Sequence, residues 1–306
     1  MKPNSRWKWV IERRRLWGNL GLILSLSLIA IFATQLAPHD PLRMNIGQGN
    51  LPPSWVQNSA KPGKPEFLLG TDLFGRDLLS RLIYGTRAAV FLILTAVPCV
   101  ALVGTLLGML AGYTGGWIEA VIMRFTDILN SLPNLMFAVM MVLILRRQLP
   151  PTPLSGMLIL AISFAAIGWV SLARLVRGEV LQLKNQPFLE ASRSLGASPW
   201  HLITRHLVPN VRPLILVWIV NTIPSVILLE ALLGYVGIQI TNAVPGAGNE
   251  FSVTSWGGLF HDGRALLSSN PLMLFIPALC ILLISVSFTQ LGDFLSESTR
   301  QQQELF

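Results

Sequence analysis

Two carboxylates stand where side-chain chemistry could act, in opposite surroundings. Glu190 lies in a short polar segment near the start of a candidate helix. There the helix dipole favours a negative charge, and the carboxylate is either simply solvated or free to accept hydrogen bonds from a partner. Glu230 lies inside an apolar run, just after Pro224, which should bend the helix carrying both. A carboxylate near the middle of a membrane costs roughly 2.5–3.5 kcal/mol on insertion scales, so Glu230 must face protein or water, lining a pathway or fixing helix packing. Catalytic patterns are missing. No G-x-x-x-x-G-K-[ST] occurs, since Gly63-Lys64 is followed by Pro65, so no P-loop holds ATP phosphates here. There is no His-Glu-x-x-His, Gly-x-Ser-x-Gly or zinc pattern, which leaves a membrane hydrolase without a visible site. His201 and His206 are five apart, His39 and His261 are isolated, and no metal site follows. Cys99 and Cys280 fall in apolar stretches and read as small packing residues.

The element that must position Glu190 is Pro187 to Pro209, PFLEASRSLGASPWHLITRHLVP. Asn185 or Gln186 can cap a first helix with Pro187 at N1, and Gly196 sits where a C′ glycine would close it. Ser198 caps a second helix with Pro199 at N1, which Pro209 should stop. Phe188, Ala191 and Leu195 share a face of the first helix; Trp200, Ile203 and Leu207 share one of the second. Each helix therefore has an apolar edge to bury, and the pair reads as a docking element, stiffened by its caps and bent at Gly196.

Composition places this element beside a membrane. Of 306 residues, 52% are hydrophobic and only 12% charged, against about a quarter charged in soluble domains. The net charge of +8 comes from basic residues scattered between apolar spans and not from one stripe, so nucleic-acid binding is set aside in favour of membrane orientation. Six runs are candidate spans: Leu16–Leu36, Ala88–Tyr113, Ile128–Leu145, Leu154–Ala173, Leu214–Tyr235 and Leu272–Leu291. Lys2, Arg6, Lys8, Arg13, Arg14 and Arg15 precede the first, which predicts a cytoplasmic N-terminus; six spans return the C-terminus to that side. The loop from Arg174 to Arg212 is also basic and also predicted to be cytoplasmic, although the loop Ala37–Arg87 carries six basic residues of its own. The first run is longer than a signal-peptide core and lacks a small-x-small site, so it reads as a retained anchor. Arg124 and Asp127 fall at the cytoplasmic end of the third span. Gly104, Gly108 and Gly112 make a small-residue stripe on the second, for close approach of a helix of this chain or of another. Asp72, Arg76, Asp77 and Arg81, at spacings of four or five, suit a salt-bridged helix face.

Two strings go beyond such general readings. Glu190-Ala191, then Gly196, Ile203 and Pro209, resembles the EAA motif by which permeases of bacterial ABC importers dock onto their ATPase. Leu69-Gly-Thr-Asp72, Gly75-Arg-Asp77, Leu79-Ser-Arg81, Tyr84-Gly85 and Arg87 resemble the signature of the oligopeptide, dipeptide and nickel branch of those permeases. Further matches include Ala111–Gly116, Met123–Asp127, Arg205–Asn210, Glu230-Ala231, Ser255–Gly257 and Gly292-Asp293. Departures are Ser192 in place of the second alanine of the motif, Leu233–Gln239 in place of LSFLGLG, a long Gly-rich loop Thr241–Thr254, and no Asp-Pro near the end. The second and third put the substrate in doubt.

The resemblance implies an all-α polytopic membrane protein with six transmembrane helices, the type I ABC importer permease fold, in the bacterial cytoplasmic (inner) membrane with both termini cytoplasmic. Its organisation would be an N-terminal region over residues 1–60 with the first span, an external amphipathic segment 61–87, a permease core 88–292 with a coupling loop 174–212, and a tail 293–306. The chain would be no enzyme and hold no cofactor or metal; ATP and Mg would sit on partner subunits. Those partners would be a second homologous permease, two cytosolic ATPases and an extracytoplasmic solute-binding protein, in contact with membrane lipid. Glu190, Ala191, Leu195, Gly196, Trp200, Ile203 and Pro209 would dock the ATPase, with Leu195, Trp200 and Ile203 filling its groove. Peptides are the implied cargo, with nickel or a nickel chelate as the alternative. An ion-coupled secondary transporter would have only Glu230 as a coupling site and would leave the docking element unexplained.

Overall fold

The computed structural model describes residues 5–57, 61–150, 152–238, 254–268 and 270–303, and among these the structure is helical, its one β-bridge, Thr71 to Asp77, closing a turn. The Gly-rich loop expected over 241–254 lies outside the described residues except for Thr254. Four described helices are long and apolar enough to cross a membrane: Leu78–Thr114, Leu154–Lys184, Pro199–Tyr235 and Leu272–Ser298. In such runs intrahelical bonds are what satisfies the backbone in hydrocarbon. They belong to α3 (Leu78–Thr114), α6 (Pro153–Lys184), α9 (Val208–Tyr235, continuous with the docking segment before it) and α11 (Leu272–Gln303).

The other two predicted spans are interrupted helices. The run Leu16–Leu36 is divided between α1 (Ser5–Ile31), whose apolar stretch is Leu16–Ile31, and a short α2 (Ala33–Leu36). The run Ile128–Leu145 is broken. Helices α4 (Gly116–Ser131) and α5 (Asn134–Gln148) meet at 94°, with Leu132 and Pro133 extended at ψ 135° and 123°. Pro133 offers no N–H and its ring drives Leu132 out of the helical region, so the helix ends where the apolar run continues. The described helices thus supply four unbroken candidate spans, or five with the bent pair, where the sequence predicts six.

The glycine stripe resolves the main helix pair. A Cβ on Gly104 would lie 2.9 Å from Leu172 Cβ, on Gly108 2.8 Å from Val176 Cβ, and on Gly112 2.8 Å from Val180 Cβ. Its partner is α6 of the same chain. The constant offset also means that α3 and α6 run parallel, so the segment between them must travel back across the thickness of the pair, and α4 and α5 are what does so. Near the start of this return Glu119 pairs with Arg177, and Asp127 pairs with Arg174 at 3.0 Å, tying α4 to α6. Lys184 Nζ donates to Tyr113 O at 2.7 Å and closes the same end.

At the opposite end the predicted charged helix face is a turn. Gly75 takes φ +74°, which L side chains rarely adopt, and helix α3 starts only at Leu78, with Asp77 as its N-cap accepting from Ser80 N at 2.9 Å. Asp72 Oδ1 accepts from the backbone N–H of Phe74 and Arg76, both at 2.9 Å. Its Oδ2 accepts from Arg76 Nε at 2.5 Å and Arg81 at 2.6 Å. Both guanidiniums then reach Asp262, at 2.9 and 2.8 Å. The result is a buried square of two arginines and two carboxylates, with Asp72 0%, Arg81 2% and Arg76 4% exposed. Burial pushes the Arg76 pKa below the usual arginine range, as does the Arg81 charge to a lesser degree, while Asp72 and Asp262 oppose the shift. The ion pairs are real, but they join the turn to a distant helix, α10 (Trp256–Ala265), and not one helix face to itself.

Candidate functional site

The Pro187–Pro209 segment, which the sequence reads as a docking element, folds as two short helices about a tight turn. Helix α7 (Pro187–Ser194) has Gln186 as N-cap and Pro187 at N1, and it ends at Gly196 with φ +84°. Gly196 N donates to Arg193 O at 2.9 Å and Ala197 N to Ser192 O at 3.1 Å, the paired bonds of a Schellman closure. Helix α8 (Pro199–Leu202) has Ser198 as N-cap, its Oγ accepting from His201 N at 3.3 Å.

Two expectations fail beyond this point. Pro209 does not stop the second helix. A π-helical turn, Ile203–Leu207, follows α8 and leads without interruption into α9, so Pro199–Tyr235 is one rod. The wider turn takes in one extra residue immediately before the ring that would otherwise clash with the preceding turn of α-helix. For the same reason Trp200, Ile203 and Leu207 do not share a face. Leu207 follows Leu202 inward, and these two with Leu189 are buried, 1–2% exposed, against Val176, Val180 and Val211. Leu195 and Trp200 instead point away, 89% and 73% exposed, and Phe188, also exposed, lies against the His206 ring at 5.9 Å. Ile203 is partly buried; Ala191, Gly196 and Pro209 are exposed. The Glu190 carboxylate is exposed and makes no hydrogen bond or ion pair among the described residues. The segment therefore anchors itself through three leucines and leaves a second apolar set, flanked by an unpaired carboxylate, uncovered.

At the far end of the same rod, Glu230 is a helix acceptor. Its two carboxylate oxygens each lie 3.2 Å from Gly257 N, in the first turn of α10, whose N-cap is Ser255. A Cβ on Gly234 would fall 2.2 Å from Gly257, so the two backbones cross in contact. The space beside Glu230, bounded by Ala88, Leu92, Met157 and Ser255, is about 10 Å³ and admits no solute. Pro224 is buried within α9. Trp256 Nε1 donates to Leu82 O at 3.2 Å, and Asp262 closes the charged square, so α10 joins α9 to the head of α3.

A family model described as the binding-protein-dependent transport system inner membrane component matches residues 104–301. The chain belongs to this family. The permease is 32% identical over 293 residues to the dipeptide transport system permease protein DppC of Bacillus subtilis (strain 168), covering 95% of this chain and 83% of that one. It is 33% identical over 301 residues to the oligopeptide transport system permease protein OppC of the same organism, covering 97% and 90%. It is an ABC importer permease of the OppC/DppC-like kind and a multi-pass protein of the inner membrane. A crystal structure of the MetNI methionine ABC transporter, in inward-facing form, superposes with TM-score 0.51 at 17% identity, over 72% of this chain and 97% of that one. That likeness concerns the fold.

Within the permease, the residues singled out by the sequence fall into three places. Glu190, Ala191, Leu195, Gly196 and Trp200 are all exposed on the Pro187–Pro209 segment; Gly104, Gly108 and Gly112 form the α3–α6 contact; Glu230 caps α10. Sequence reasoning missed Leu189 and Leu202, which hold the docking segment down, and Asp262, the distant partner of both arginines. The Ser198-Pro199 cap gave no warning of the π turn that sets which side chains face out. Pro133, in the middle of an apolar run, was a usable signal for the broken span.

Proposed function

We propose that the permease pairs with a second, related permease to form a pathway for di- and oligopeptides. Two cytosolic ATPases grip the Pro187–Pro209 segments, and an external binding protein delivers the cargo. The observation that carries this reading is the uncovered set Phe188, Leu195 and Trp200 on a segment whose own backbone is closed by caps. Such a surface fits a groove of another protein, and Glu190 beside it is free to accept donors from that groove. The names of the relatives support peptides as cargo.

In this reading α1, α3, the bent α4–α5 pair, α6, α9 and α11 make six crossings with both termini cytoplasmic. The parallel register of α3 and α6 supports a crossing between them, and the basic N-terminal cluster supports the orientation. Because α8, the π turn and α9 are one rod, a displacement imposed on Trp200 by closing ATPases is carried along α9 to Glu230, and through α10 to the charged square at the head of α3. Docking and outer end are thereby two ends of one lever, which is how nucleotide state would switch access from one side to the other. Exchanging Glu190 for Ala, or Gly196 for Leu, in the complete transporter should leave ATP hydrolysis uncoupled from peptide uptake. Uptake unchanged in both variants would sink the docking assignment.

A further inference from the structure

The broken span between α4 and α5 sits at a depth that its packing fixes. Leu129, just before the break, is buried with Val100, Trp169 and Val170, and Phe137, just after it, packs on the same group. Val100 is central in the apolar run Ala88–Tyr113, so the break lies near the middle of the span. Asn130, Ser131, Leu132, Pro133 and Asn134 are all exposed on this chain. Hydrocarbon does not tolerate such a stretch: irregular backbone at membrane depth persists only where other protein covers it or where it faces a water-filled space.

The side chains at the break indicate which. Ser131 Oγ is spent on Ile128 O, at 2.7 Å, whereas the Asn130 and Asn134 amides have no hydrogen-bond partner among the described residues. Asp127, the nearest ionised group on α4, is held by Arg174. What the break offers is thus neutral and two-sided, since an amide carries both donor and acceptor and matches a peptide unit on both counts. A fixed charge would hold one terminus of a solute, while passage needs binding weak enough to release. On α5, one turn further, Met136 and Met140 are exposed at a spacing of four. Unbranched thioether side chains adapt to apolar groups of varied shape.

We infer that the Asn130–Asn134 break, with Met136 and Met140, is a wall of the solute pathway. Asn130 and Asn134 exchange hydrogen bonds with the amide groups of a passing peptide, and the two methionines accommodate its side chains. This rests on the reading of the chain as a peptide permease. The competing occupant, a helix of the second permease sealed against the break, is separable by experiment.

The test uses the complete transporter with Cys99 and Cys280 replaced by Ala, carrying Asn134→Cys or, as a control on the uncovered face of α3 at similar depth, Leu102→Cys. Asn134→Cys should react with a charged methanethiosulfonate about tenfold or more faster than the control, as expected where water ionises the thiol, and the rate should change when the ATPases are trapped with nucleotide. In the assembled complex Asn134→Leu should cut peptide uptake about three- to tenfold, the scale of one hydrogen bond, and Asn134→Gln should restore some of it. A cysteine at 134 unreactive in every nucleotide state, or one cross-linking to the second permease, overturns the wall. Labelling needs no cargo, so an Asn134→Cys complex that labels as expected, beside a wild-type complex that imports no peptide, keeps the wall and overturns the peptide reading.

Discussion

The charged square at the head of α3 and the docking segment before α9 invert each other. At the square, Asp72, Arg76 and Arg81 are buried and Asp262 nearly so, each ion-paired with others of the four. On the docking segment Leu195 and Trp200 are exposed and the polar backbone is satisfied internally, by a Schellman turn and a Ser cap. A junction that must hold three elements in one arrangement does so with directional bonds between buried charges, where loss of one partner strands the rest. The exposed segment closes its own hydrogen bonds and leaves apolar side chains uncovered, as the proposed docking requires. The same rod touches both, through Leu202 and Leu207 at one end and through Glu230 and α10 at the other.

The comparison breaks most visibly at the square. Replacing Asp72 with Ala leaves two guanidiniums sharing Asp262 and removes the acceptor for two backbone N–H groups, at a cost of about 3–5 kcal/mol, the scale for opening a buried pair. The variant should accumulate poorly in the membrane, and thermal unfolding in detergent should shift downward by far more than for any docking-segment variant. An Asp72→Ala permease as stable as the wild type would show that the square is ornamental.

Next in size is the opposite kind of loss. Trp200→Ala, at a site 73% exposed, should leave unfolding of the permease unchanged within about 0.5 kcal/mol, as for a surface substitution. Retention of the ATPase on purification should fall about 30-fold, the equivalent of a 2 kcal/mol interface hot spot. Leu189→Ala is the contrasting variant, since Leu189 is buried inside the chain and its loss should destabilise the permease itself. If Trp200→Ala and Leu189→Ala behave alike, the division between an anchoring set and a presenting set is wrong.

The two regions were also unequally legible. Ser198-Pro199 and Gly196 announce a cap and a closure because those motifs are local: the donor, the acceptor and the restricted dihedral lie within a few residues. Asp72, Arg76 and Arg81 announce ion pairs but not their geometry. Spacing of four means one face only if the segment is helical, and Gly75 at positive φ makes it a turn. Asp262, 186 residues from Arg76, carries no mark in the sequence of its destination. The six basic residues of Ala37–Arg87 confused the orientation because composition cannot tell an arginine destined for a buried square from one at a lipid surface. The π turn was illegible for a related reason. It is selected by the burial of Leu202 and Leu207 together with the ring of Pro209, and only packing reveals that an added residue rotates Leu207 away from Trp200.

The smallest effect sharpens the comparison furthest. Ser198→Ala removes the acceptor for His201 N and nothing else, because the Ser198 side chain makes no other contact in the hydrogen-bond network of the described residues. Loss of such a cap costs about 1 kcal/mol, and on a surface segment that cost falls on local opening and not on the whole fold. Amide exchange at His201 should therefore quicken about fivefold while exchange in α3 and α9 stays as it was. If stiffness of the segment is what transmits the stroke of the ATPases, coupling of uptake to hydrolysis should weaken in the same variant although Leu195 and Trp200 are untouched. Faster exchange with full coupling would mean that the presented side chains alone suffice and that the caps serve only to satisfy the backbone.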